Sequence, residues 1–291
     1  MDQAKELRNL INNVQNTNLK NTLNSRVITI SSGKGGVGKS SFSVNLAIYL
    51  ASLKKRVLII DADFGLANIE VLLGIRPKYN FYHMLKGEKN ISEIVVDTNY
   101  GIKFISGGNG LKELSNVNST EIKYFIEQFE YLDKIADIII VDTGAGISPN
   151  VTNFLMASDE NIIVTTPEPT SFTDAYTLIK IIKEQNRAID KLNIVINKAD
   201  DKYEADRIFT KISHVCNKFL GINIKNLGYI PSDIALIKAI KQQKPAILSF
   251  PNSDFAMAIK SIGNRLINEE QVIDNSGIKN FMQKLMSVFN K

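Results

Sequence analysis

Residues Ser31 to Ser41 read SSGKGGVGKSS, and this stretch decides the fold. Gly33, Gly38, Lys39 and Ser40 satisfy the phosphate-loop pattern G-x-x-x-x-G-K-[ST]. Before it, Arg26-Val27-Ile28-Thr29-Ile30 is a β-branched run that reads as a buried strand. After it, Val44, Leu46, Ala47, Leu50 and Ala51 recur at helical spacing. A strand, a glycine loop and a helix N-terminus bind a nucleotide phosphate, because backbone N–H groups and the helix dipole point at the anion. The loop Gly33, Lys34, Gly35, Gly36, Val37, Gly38, Lys39, Ser40 and Ser41 is therefore the expected nucleotide-phosphate cradle. Lys39 reaches the β- and γ-phosphates, and the Ser40 hydroxyl holds Mg2+.

Two acids follow strands elsewhere. Arg56 to Asp61 is an apolar run ending in an acid, followed by DADFGLANIE. Asp61 and Asp63 lie at a strand's C-terminal end, where α/β sheets place their sites. Asp61 is a candidate for the metal, and Asp63 for orienting the attacking water. An aspartate here can also be a plain helix N-cap. Ala136 to Asp142, ADIIIVD, is the most strand-like run in the chain, and Asp142 precedes Thr143-Gly144-Ala145-Gly146. An acid there holds Mg2+ directly or through water.

Further apolar runs at 94–96, 102–105, 162–165, 192–196 and 227–230 read as strands. Helical stretches near 119–134, 170–187, 201–219 and 254–270 alternate with them. The expected fold is α/β, a mostly parallel twisted sheet with helices on both faces. FYHMLKGEKN, Phe81 to Asn90, reads as a short helix whose His83 is structural. Asn197-Lys198-Ala199-Asp200 matches N-K-x-D, the guanine-reading motif of GTPases. Asp142 is followed three residues later by Ala145 where a GTPase wants glycine. Asn197, with the backbone around Pro231, is therefore read as an adenine contact, with guanine as the alternative.

Composition narrows the class. Hydrophobic residues make up 44% of 291 residues and charged ones 22%, which suits a globular chain with a sizeable core. The net charge of +5 favours an acidic partner without choosing between a nucleic acid and an anionic membrane. One cysteine, Cys216, allows no disulfide framework and no Cys-x-x-Cys metal site. No run has the length of a signal peptide or a membrane span, so the expected place is the cytoplasm.

The ends divide from the middle. Residues 1–25 read as a short helix, with Ala4, Leu7 and Leu10 at helical spacing, and a polar linker with six asparagines from Ile11 to Ser25. Such a segment is either presented to a partner or an ordinary chain terminus. Residues 26–275 form the expected ATPase domain. In 276–291, Ile278, Phe281, Met282, Leu285, Met286 and Phe289 make one apolar stripe, and no acid occurs from Ile278 onward. A basic amphipathic helix reads as an interfacial membrane anchor. The alternative is a terminal helix packed on the domain's own core.

Lys34, directly after the first glycine, makes the loop more specific. GKGGVGKS resembles the deviant Walker A motif of the MinD/ParA ATPases, and DADFGLANIE, VDTGAG and the pair Asn197-Lys198 extend the resemblance over about 26–267. The resemblance implies ATP–Mg2+ binding, slow hydrolysis and an ATP-bound homodimer in which Lys34 crosses to the partner's nucleotide. Gly144 departs from the pattern, since MinD-like sequences often carry proline there. Asp2, Gln3, Ala4, Leu7 and Arg8 match the DQAxxLR element of the FlhG (FleN/YlxH) branch, which regulates flagellar number and placement. That branch implies stimulation of the GTPase FlhF, contacts with flagellar C-ring or switch proteins and with a flagellar transcription activator, and peripheral attachment to the inner face of the cell membrane when ATP-bound. Nucleic acid is not expected as a partner. A ParA-type DNA-partitioning ATPase, a MinD-like division-site regulator and a non-hydrolysing adaptor remain as alternatives.

Overall fold

The computed structural model describes residues 24–63, 68–108, 119–158, 160–185, 191–268 and 277–289. The DQAKELR segment, Gly65, Gly110 and Lys291 lie outside them.

Eight strands build one sheet: β1 Arg26–Ser32, β2 Val57–Ala62, β3 Val96–Asp97, β4 Lys103–Ser106, β5 Ile138–Ala145, β6 Glu160–Thr165, β7 Lys191–Ala199 and β8 Lys225–Pro231. Their order is β3-β4-β2-β5-β1-β6-β7-β8, with only the two-residue β3 antiparallel. The central strands are apolar throughout because both faces are covered. Ile28, Ile59, Ile140 and Val164 are fully buried against one layer of helices, and Leu58, Ile139 and Ile163 against the other. Parallel strands joined by helices carry all their C-terminal ends to one edge, and there the site assembles.

The expected helices appear at Ser119–Ile135, Pro169–Glu184, Lys202–Leu220 and Asp254–Asn268. Helices at Asn68–Leu73, Ile91–Ile94, Pro149–Ala157, Ile234–Lys241 and Ala246–Ser249 were not expected. Ile94 ends a helix rather than opening a strand. The 81–90 helix stops at Leu85 and is capped by Asn80, whose backbone N–H donates to His83 Nδ1 at 3.3 Å. His83 is thus a capping residue, a role the sequence did not show.

The C-terminal helix, Ile278–Phe289, changes the picture most. Ile278, Phe281, Met282, Leu285 and Met286 are each less than 5% exposed. They share a cluster with Phe129, Leu132, Ile139 and Phe154, and the Phe281 ring stacks on Phe154 at 6.2 Å. The stripe expected to face a membrane faces the domain's own core here. In this structure residues 278–289 pack on the domain whose end was drawn at 275. Among the described residues, no helix is long and apolar enough to cross a membrane.

Candidate active site

The phosphate loop leaves β1 and enters the helix Lys39–Ser52. Gly38 sits at that helix's N-cap with φ 90°, and no side chain caps the first turn. The first N–H groups are left for an anion. Each glycine has its own reason. A Cβ on Gly33 would lie 2.4 Å from the backbone carbonyl carbon of Asp174, so β1 and the helix Pro169–Glu184 meet only through glycine. A Cβ on Gly38 would lie 2.3 Å from Asn197 Nδ2. Around Gly35 and Gly36 a Cβ would meet nothing within 4 Å, which is the room a phosphate cradle needs. Val37 is buried and pins the loop to the core. Gly33→Ala is therefore expected to destabilise the ligand-free protein by about 1–3 kcal/mol through overpacking. Gly35→Ala is expected to leave its melting temperature nearly unchanged. Thermal denaturation of the two variants compares them, and equal melting would break the assignment.

Four side chains converge beneath the loop. Lys39 Nζ lies 3.0 Å from Asp142 Oδ1, with both side chains at most 6% exposed. Ser40 Oγ donates to Asp142 Oδ2 at 2.7 Å, and Ser43 Oγ to Asp142 Oδ1 at 2.6 Å. Ser43 was missed in the sequence, yet it lies one helical turn after Lys39, so it faces the same way. Asp61 sits directly opposite Asp142 in the β2–β5 register. Burial first, and the Asp142 charge second, push its carboxyl up to about 8. Its Oδ1 accepts from the Asp63 N–H at 3.0 Å, which shapes the turn after β2. Asp63 Oδ1 is 3.6 Å from where a Cβ on Gly144 would lie, so the two acid loops touch.

Asp142 balances the buried Lys39 ammonium, and a cation beside Asp61 would favour the ionised form that burial opposes. The donor set of Ser40, Asp142 and Asp61 is all oxygen, the type Mg2+ takes. Among the described residues no cluster of three or more His, Cys, Asp or Glu side chains forms a protein-only cage. Mg2+ commonly takes one or two carboxylates together with substrate phosphates, and this set fits that habit.

Lys34 does not project freely. Its Nζ donates to Glu168 Oε2 and to Thr170 Oγ1, both at 2.9 Å. Lys34 holds the Glu168 carboxyl below its usual range, first by hydrogen bonding and then by charge. At 40% and 60% exposure this ion pair is solvent-screened and weak, so it is readily exchanged for another anion. Nothing in the sequence pairs Lys34 with residues more than 130 positions away.

Asn197 is held by the protein itself. It is 2% exposed, its Nδ2 donates to the Val37 carbonyl at 2.6 Å, and its Oδ1 accepts from the Lys198 N–H at 2.9 Å. Lys198 Nζ donates to the Gly36 carbonyl at 2.7 Å. The pair clamps two successive carbonyls of the loop and turns the loop's donors toward the phosphate side. One end of the Asn197 amide holds the loop, and the other holds the backbone of its own strand. Pro231, which closes β8 opposite Ala199, lies beside this clamp.

Comparison with known proteins agrees with this geometry. A ParA family model, described as NUBPL iron-transfer P-loop NTPase, matches residues 24–267. The chain is 33% identical over 241 residues to the antiactivator FleN of Pseudomonas aeruginosa, covering 83% of this chain and 86% of FleN. It is 34% identical over 293 residues to the flagellum site-determining protein YlxH of Helicobacter pylori, covering 98% of each. The fold superposes on MinD from the Aquifex aeolicus MinC:MinD complex with a TM-score of 0.67 and 25% identity, over 87% of this chain and all of that one. It superposes on the Pyrococcus furiosus cell division ATPase MinD with a TM-score of 0.68, 22% identity and 84% and 100% coverage.

Proposed function

Because the chain belongs to the ParA/MinD family of P-loop ATPases and hydrolyses ATP, we propose that it is a nucleotide-controlled switch acting in flagellar number and placement. The observation that carries this reading is the conjunction of a complete phosphate-loop site with a docked amphipathic helix. The names of FleN and YlxH supply the flagellar setting. The iron-transfer description in the family model has little support in these residues, since Cys216 is the chain's one cysteine and is buried.

In the proposed cycle, the loop N–H groups and Lys39 hold the β- and γ-phosphates of ATP. Ser40, Asp142 and Asp61 hold Mg2+, which neutralises phosphate charge when bound. Pro231 borders the base. Lys34 leaves Glu168 and Thr170 and completes the site of a second copy, giving a homodimer. Asp63 orients the attacking water. Gly144 and Gly146 let the Asp142 loop follow the γ-phosphate. The segment around Asp2, Gln3, Ala4, Leu7 and Arg8 is then offered to FlhF. C-ring or switch proteins and a transcription activator are the further candidates.

The docked helix suits a switch. Burying each of its apolar side chains contributes about 1.5–3 kcal/mol. Ordering each of its 12 residues costs about 1–2 kcal/mol. The burial gain is set against this ordering cost, so a change elsewhere that shifts either one can release the helix. Release would turn Ile278, Phe281, Met282, Leu285, Met286 and Phe289 toward an anionic membrane surface, and two tails per dimer would bind by avidity. The intact chain is expected to co-sediment with phosphatidylglycerol-rich vesicles in ATP, and much less in ADP or with phosphatidylcholine vesicles. No pelleting in ATP would leave the helix a core element and favour a soluble adaptor.

A further inference from the structure

The C-terminal helix has no acid in its own first turn. Its first N–H is satisfied from elsewhere: Ile278 N donates to Asp133 Oδ1 at 3.2 Å. Asp133 belongs to the helix Ser119–Ile135, and its carboxylate caps the C-terminal helix across the packing interface. The same oxygen accepts from Ser25 at the other end of the chain, from the N–H at 3.0 Å and from the hydroxyl. Gly277 closes the junction. A Cβ there would lie 3.1 Å from Asn24 Cβ and 3.2 Å from Asp133 Oδ2. One turn away, Lys279 pairs with Glu130 on the same acidic helix.

The point where the N-terminal segment joins the domain is thus also the point where the C-terminal helix starts. We propose that Asp133 couples the two ends of the chain: anchoring Ser25 on its carboxylate holds the C-terminal helix in its groove, and freeing Ser25 loosens that helix. The physical reason is preorganisation. An aspartate pays side-chain entropy to cap a helix. With two donors from Ser25 already bound, the Asp133 rotamer is set before Ile278 arrives. A chain without them must set it at docking. Linkage makes the effect reciprocal. A partner that draws residues before Asn24 away from the domain favours release of the C-terminal helix, and release frees Ser25 for that partner. The ATP site lies at the opposite, C-terminal edge of the sheet, so this is a second input to the helix besides nucleotide. Only the docking seen in the structure is required, and neither the membrane nor FlhF enters.

Hydrogen–deuterium exchange of amides 278–289, measured on the full chain without vesicles, tests the coupling. Ser25→Ala removes the hydroxyl donor and keeps the backbone one, so it is expected to speed exchange of this helix by about twofold, the size of one lost hydrogen bond, while β5 amides keep their rate. Asp133→Ala gives at least that increase, and adding Ser25→Ala to it changes nothing more. Asp133→Leu, which fills a similar volume and offers no acceptor, replaces Asp133→Ala in the cycle if the alanine variant does not fold. The coupling is overturned if Ser25→Ala leaves the helix at its original rate or slows it. It is equally overturned if the effect is shared by β5, or persists undiminished without the Asp133 carboxylate. Because no membrane is present, none of these outcomes depends on vesicle binding.

Discussion

Asp142→Ala is expected to abolish ATP hydrolysis and, in the absence of nucleotide, to cost about 3–5 kcal/mol of folding stability. The second effect is the unusual one for an active-site acid. Asp142 is fully buried and is the ion-pair partner of Lys39, which is 6% exposed. It also accepts the hydroxyls of Ser40 and Ser43. Removing it takes the nearest counterion from a buried ammonium, leaving only the more weakly ionised Asp61, and takes an acceptor from two hydroxyls, of which Ser43 keeps the Lys39 carbonyl. Set against a typical total of about 5–15 kcal/mol, that is a large fraction. Urea denaturation reads the loss as a lower midpoint at unchanged slope. Replacing both members of the pair, as in Lys39→Met with Asp142→Leu, is expected to regain much of the stability and none of the activity, since the penalty comes from the stranded charge. If Asp142→Ala unfolds at the original urea concentration, the pair is not a coupled unit and this account fails.

Lys34→Ala is expected to do the reverse, abolishing ATP-dependent dimerisation while leaving the single chain intact. Its bonds to Glu168 and Thr170 are exposed and screened by solvent, so their loss leaves the melting temperature nearly unchanged. ATP–Mg2+ binding survives, because Lys39, the loop N–H groups and the clamp from Asn197 and Lys198 are untouched. Light scattering after size exclusion, with ATP and with a non-hydrolysable analogue, distinguishes monomer from dimer. A Lys34→Ala chain that still dimerises would remove the lysine from the interface. Asp63→Ala is the companion variant. It keeps the dimer and loses turnover if Asp63 orients water, and normal turnover would take that role from it.

Much of this protein was legible in one dimension because its chemistry is local. The phosphate loop spans 33–40, and each of its groups lies within one turn of the next. Strands β1, β2 and β5 read as continuous apolar runs because both faces are covered, and the acids ending β2 and β5 mark the edge where a site forms. The short helices at Asn68–Leu73 and Pro149–Ala157 were less visible. Too few turns fit in them for a helical period to stand out from loop composition, and tertiary packing supplies most of their stability.

What the sequence determined by itself is the set of chemical parts: a nucleotide cradle, two acids at strand ends, a second lysine and an apolar stripe beyond residue 277. What the tertiary structure decided is the assignment of partners. Asn197 matched a base-reading motif, but the fold brings β7 beside the loop, and its amide binds Val37, 160 positions earlier. Lys34 found Glu168, and Ile278 found the same carboxylate as Ser25. The stripe Ile278 to Met286 reports only that one face avoids water. Amphipathic periodicity is a property of a single helix, whereas the surface that covers it is set by the rest of the fold. Here the helices Ser119–Ile135 and Pro149–Ala157 supply that surface.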